Sequence, residues 1–229
     1  MCIRDRASPV PLPAEVKTNE DLYLYGLHLE QYRHATYEPA DYYLEGLRRD
    51  PTDSRINTAY GKLLMSRGRF AQSIPFFEAA IGKLTRSNPN PYDGEAYFQL
   101  GLALRYVGKD SEAYDRFYKA AWSAAWQDAA FYQMACICMA KDELDTAMSH
   151  IERSLVRNYH NMKARNLKAS ILRKLENWEA CGNLLKENIK IDPLDLGTIY
   201  EEALLKEGRQ KEDVYKRQGV IIAILTAFP

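Results

Sequence analysis

The chain of 229 residues has no net charge to spare: 31 Lys and Arg side chains stand against 31 Asp and Glu. A nucleic-acid binder normally carries a strongly basic face, so neutrality speaks against that class of partner. Cysteine is scarce, and four of them cannot staple a chain of this size as a disulfide scaffold. Ten prolines and twelve glycines are too few for a low-complexity polymer. No uninterrupted apolar run reaches the roughly 18 to 20 residues that span a bilayer, so no membrane partner is expected. What is present is 46% hydrophobic and 27% charged residues, enough apolar material for a packed core. A soluble, helix-rich, cytoplasmic protein is expected.

The two ends stand apart. Residues 1–6 read Met-Cys-Ile-Arg-Asp-Arg and residues 213–218 read Asp-Val-Tyr-Lys-Arg-Gln. Both can be translated, in two frames, from the DNA string GATGTGTATAAGAGACAG, which resembles the transposon end used in preparing sequencing libraries. Residues 1–6 and 213–229 are therefore set aside as an adaptor artefact and an unrelated tail. On this reading the chain is a piece of a longer protein. Pro9-Val10-Pro11-Leu12-Pro13 makes residues 7–18 an extended linker from a further domain upstream.

The body repeats itself. Tyr60-Gly61-x-x-Leu64 matches Leu100-Gly101-x-x-Leu104, and seven residues past each glycine stands another, Gly68 and Gly108. Twelve past come Ser73 and Ala113, sixteen past Phe77 and Phe117, nineteen past Ala80 and Ala120. The frame continues through Ala135, Ala147, Ile151 and Ser154. It returns more weakly through Ala169, Cys181, Leu185 and Asn188, and at the front through Gly26, Tyr43 and Gly46. Units near 19–53, 54–93, 94–127, 128–161, 162–195 and 196–212 follow, the last truncated. This resembles the tetratricopeptide repeat, with its 34-residue period and W-x2-L-G-x2-Y…A-x3-F…P pattern. The resemblance implies an all-α, right-handed superhelix of stacked two-helix hairpins. Lys168 and Asn188 in the fifth unit depart from the pattern, standing where apolar and small residues are usual.

The spacing has a physical reading. Large apolar residues three or four apart share one helix face. A small residue among them (Gly61, Gly101, Ala135, Ala169) lets the second helix come close. Gly68, Gly108, Asp142 and Glu176 mark the turn inside each hairpin, and Asp50-Pro51 and Asp192-Pro193 close units where proline blocks helix continuation. The longer second unit carries an inserted loop at 85–94, with two Asn-Pro steps.

Catalytic chemistry is not evident, and neither a cofactor nor a metal is expected. His28 and His34 are six apart and do not share a helix face; Cys136 and Cys138 diverge by about 200° on a helix, so structural thiols are the favoured reading. No phosphate-binding loop occurs.

Binding is the better reading. In the resembling solenoids the first helix of each unit lines a concave wall, mainly through positions two, five, nine, twelve and thirteen. Carried onto this chain, that frame selects Tyr23, Thr58, Lys62, Phe98, Arg105, Tyr106, Tyr132, Asn166 and Arg173 as a groove for a partner protein or peptide. Aromatic faces mixed with cations suit extended peptides or acidic segments. The lysine and asparagines with which chaperone-binding relatives grip a C-terminal carboxylate have no match here, because Tyr23 and Leu27 occupy the first-unit positions.

A second resemblance rests on longer strings. Residues 22–36, Asn88-Pro-Asn-Pro-Tyr-Asp93 and Ala121-Trp-Ser-Ala-Ala-Trp-Gln-Asp128 resemble stretches of large bacterial proteins with an upstream domain similar to galactose mutarotase. The resemblance implies that the whole protein stands near carbohydrate metabolism and assigns no reaction to this piece. The leading reading is an interaction scaffold, with the upstream domain of the same chain among its expected partners. The alternative is that the repeats complete a sugar site, with Trp122, Trp126 and Tyr92 stacking on sugar rings. A free-standing adaptor that converged on these strings is the third reading.

Overall fold

In a computed structural model, residues 9–32, 36–208 and 210 are described. The two end segments set aside above, and His34, lie outside them. Helix is the only extended regular structure among the described residues: α1 (Asn19–Tyr32), α2 (Pro39–Arg49), α3 (Ser54–Ser66), α4 (Phe70–Leu84), α5 (Glu95–Tyr106), α6 (Asp110–Ala120), α7 (Gln127–Ala140), α8 (Leu144–Arg157), α9 (Met162–Lys174) and α10 (Trp178–Ile191). A further helix, α11, runs over 196–208. The chain divides into two compact units, Met1–Trp126 and Gln127–Pro229.

Each hairpin begins and turns for local reasons. Asp53 caps α3 by accepting from the backbone of Arg55 (3.1 Å) and Ile56 (3.2 Å). Asn161 and Asn177 cap α9 and α10 in the same way, each at 3.2 Å. In the four hairpins from α3 to α10 the chain passes through the left-handed region between the two helices, at Gly68 (φ 72°), Gly108 (φ 81°), Asp142 (φ 60°) and Glu176 (φ 57°). The reversal is tight enough that even an acidic residue is forced into it.

In the first unit, glycine in the first helix meets an aromatic ring from the second. A Cβ built on Gly61 would lie 2.6 Å from Cε1 of Phe77, and one on Gly101 would lie 2.6 Å from Cε1 of Phe117. Gly26 stands against the Tyr43 ring more closely still. Phe77, Phe117 and Tyr43 are fully buried, so these are the centres of the hairpins. In the second unit the equivalent positions hold Ala135 and Ala169, and the residues sixteen further on are the narrower Ile151 and Leu185, again buried. The narrower aliphatic side chain leaves room for the alanine methyl that a ring would exclude.

The segment read as a linker is docked from residue 9 onward. Val16 is buried with Leu22, Leu29 and Tyr42. The Tyr42 hydroxyl donates to the Pro11 carbonyl (2.7 Å), and Arg49 donates to the carbonyls of Val16 (2.7 Å) and Pro13 (3.3 Å). Arg49 is oriented by Glu45 at 2.7 Å. Arg48 and then Arg49 hydrogen-bond Glu45 and pull its carboxyl pKa down to about 2.

Candidate functional site

In the first unit, α1, α3 and α5 line a cavity of about 230 Å³. Tyr23, Leu27 and Glu30 come from α1, Arg55, Thr58 and Lys62 from α3, and Asp93 and Glu95 from the entry to α5. On α1 and α3 these residues recur three or four apart, so each of those helices turns one stripe toward the same space.

The electrostatics of the cavity are built from pairs. Lys62 Nζ donates to Glu95 Oε1 at 2.8 Å. Burial alone would lower the lysine pKa, but the Glu95 hydrogen bond and the charges of Glu95 and Glu30 outweigh it, and the net shift is upward. Arg55 is paired with Glu20 and lies over the Tyr23 ring, 5.6 Å from its centroid. Glu30 accepts from the Tyr43 hydroxyl at 3.2 Å; burial and then the Glu30 charge push the Tyr43 pKa up. Asp93 accepts from the backbone of Glu95 (2.9 Å) and from Trp126 Nε1 (3.0 Å), pinning the end of the 85–94 loop. The Thr58 hydroxyl is spent on its own helix, donating to the Ser54 carbonyl at 2.8 Å.

Of the residues selected from the sequence, Tyr23, Thr58 and Lys62 therefore share this cavity. Phe98 is buried, stacked on Trp126 at 4.9 Å and tilted against Phe117 at 5.6 Å. Arg105 is half-buried on α5. Tyr106 is exposed at the end of α5 and stacks on Phe70 at 4.4 Å. In the second unit Tyr132 is half-buried on α7. Asn166 joins a network with Asp195 (2.6 Å), Thr198 (2.8 Å) and Asn188 (3.2 Å). Arg173 Nε donates to Glu201 at 2.9 Å, with both side chains largely covered.

Sequence reasoning passed over the acids. Glu20, Glu30 and Glu95 stand at the second and twelfth wall positions of the same frame, but weight went to aromatics and cations. The signal was the frame itself. Asp93 lies in the inserted loop, outside the frame.

The three aromatics suggested for a sugar site have separate fates. Trp126 is committed to Phe98 and Asp93. Trp122 is exposed with Lys119 Nζ 4.5 Å from its ring centroid, and Tyr92 is fully exposed.

No family model matches the chain. Solved structures do resemble it. That of PilF from Pseudomonas aeruginosa has a TM-score of 0.70 at 14% identity, covering 92% of this chain and 93% of that one. PilW, a type IV pilus biogenesis factor, gives a TM-score of 0.67 at 20% identity, covering 82% and 84%. YrrB, a tetratricopeptide-repeat protein with an unusual peptide-binding site, gives 0.63 at 15% identity, covering 80% and 90%. The fold is that of the tetratricopeptide-repeat solenoids. Human aspartyl/asparaginyl beta-hydroxylase is 25% identical over 193 residues, 82% of this chain; the chain spans 24% of that protein's length. That likeness does not assign catalysis to this chain. The comparisons support neither a carbohydrate site nor a mutarotase-like neighbour domain, and none bears on the adaptor reading of the ends. No helix among the described residues is long and apolar enough to cross a membrane.

Proposed function

We propose that this chain is a protein-interaction scaffold that holds an extended segment of a partner protein, or of another part of its own parent chain, against the first helices of its hairpins. A cytoplasmic setting belongs to the same proposal. The observation that carries it is the cavity between α1, α3 and α5, where side chains from three successive first helices meet around Lys62. A surface built from consecutive repeats suits a ligand that is itself linear, because each repeat offers the same register to the next stretch of chain. The peptide-binding site named for YrrB, a neighbour in fold, agrees with this use of such a surface. Asn166 and Arg173 contribute to the second unit by building its own hydrogen-bond networks, and the binding role rests on the first unit.

The test is a pulldown from an extract of the source cells with the intact chain and with Tyr23→Ala and Leu27→Ala combined, which removes the apolar wall of the cavity. The scaffold reading expects specific partners to be retained by the intact chain and lost by the variant. Equal retention by a folded variant overturns it.

A further inference from the structure

The two cations that line the cavity are already occupied. Lys62 is bonded to Glu95 at 2.8 Å and Arg55 is paired with Glu20. The cavity also holds Glu30 and Asp93, and among the described residues neither has a cationic partner within salt-bridge distance. Each instead accepts from neutral donors, Glu30 from the Tyr43 hydroxyl and Asp93 from Trp126 Nε1 and the Glu95 amide. The site therefore carries acidic charge in excess of its own cations, in a space walled partly by Tyr23 and Leu27.

We infer that this cavity takes a lysine or arginine side chain projecting from the bound segment, its aliphatic stem against Tyr23 and Leu27 and its charged head toward Glu30 and Asp93. This rests on the scaffold reading and names the chemistry of the partner at that site. Three physical points favour a cation over the other guests. A carboxylate entering here would meet cations whose charge Glu20 and Glu95 already balance, together with the further negative charge of Glu30 and Asp93. A purely apolar guest would desolvate Glu30 and Asp93 without replacing their water. A basic side chain adds the countercharge that is missing, and its methylenes suit a wall that is apolar on one side.

The experiment uses the full chain on an array of random twelve-residue peptides, followed by titration of the best binders at two salt concentrations. The variants are Glu30→Gln and Asp93→Asn. Each keeps an oxygen acceptor, for Tyr43 and for Trp126 respectively, and removes only the charge. Thermal melts confirm that both remain folded. The inference expects lysine or arginine to be enriched at one fixed position among the binders. Each variant then weakens those peptides about tenfold, the effect of losing one charge-assisted contact, and flattens their salt dependence. Binders enriched in Asp or Glu, or basic binders indifferent to both variants, overturn the inference and leave the scaffold reading standing. No binder of any composition overturns both.

Discussion

Nε of Arg165 donates to Oδ1 of Asn188 at 2.6 Å, and both residues are buried. The guanidinium also reaches Glu187 at 3.0 Å and lies 4.5 Å from the Tyr159 ring centroid. Asn188 is the residue that broke the small-residue pattern of the repeat. It does so because a buried cation one helix away needs an acceptor, and a small apolar residue there would strand it.

Asn188→Ala should therefore cost about 2–4 kcal/mol, because it leaves the Arg165 Nε–H without its buried acceptor. Glu187→Ala, whose carboxylate is half in solvent, should cost less than about 1 kcal/mol. Arg165→Met added to Asn188→Ala should recover a good part of the loss. Urea denaturation of the three variants measures this. Equal losses for Asn188→Ala and Glu187→Ala would contradict it.

The facing of Gly101 and Phe117 makes a second expectation. Gly101→Leu overpacks a contact that already has no room for a methyl and should lower stability by about 1–3 kcal/mol or more. Gly101→Ala paired with Phe117→Leu imitates the alanine–aliphatic pairing of the second unit, and should be milder than Gly101→Ala alone. Thermal midpoints decide; a pair worse than the sum of its members would show that the two positions are not matched in this way.

At the hairpin turns the backbone can be tested apart from packing. Nothing lies within 4 Å of a Cβ built on Gly108, so Gly108→Ala should lose about 1 kcal/mol from its positive φ alone. Glu176 already bears that strain, and Glu176→Gly should gain about 0.5–1 kcal/mol. Opposite signs in chemical denaturation are expected.

His150 makes stability depend on pH. Its ring is buried, stacked on Phe131 at 5.9 Å. Burial first, then the Arg153 charge, lowers its pKa below the ordinary 6.5. The unfolded chain thus binds the proton more readily than the folded one. The contribution is full above pH 6.5 and is lost as pH falls through the folded value. His150→Phe should flatten the slope of the urea midpoint between pH 7 and 5. An unchanged slope would remove His150 as its source.

Much of the fold was legible because its cause is periodic. Gly61, Gly101, Ala135 and Ala169 are small where a second helix approaches, and Phe77 and Phe117 are large where it leaves space. Those sizes recur in one dimension along the chain, so a frame finds them. The site was only half legible. Tyr23, Thr58 and Lys62 were selected and share a cavity, but Phe98 was selected by the same frame and is buried under Trp126. The frame states which way a residue points from its helix, not what another element lays over it.

From residue order alone came the hairpins, their turns and the side of each helix that faces its partner. These depend on neighbours within about 34 residues, where helical periodicity and side-chain size suffice. Folding in three dimensions settled the charge of the cavity, because Lys62 meets Glu95 and Arg55 meets Glu20 across more than 30 positions of chain. It settled too that residues 9–18 lie against the first hairpin under Arg49. Pairing and burial at such separations depend on which surfaces close on one another, and a side chain's charge is available to a partner only if no neighbour has already neutralised it.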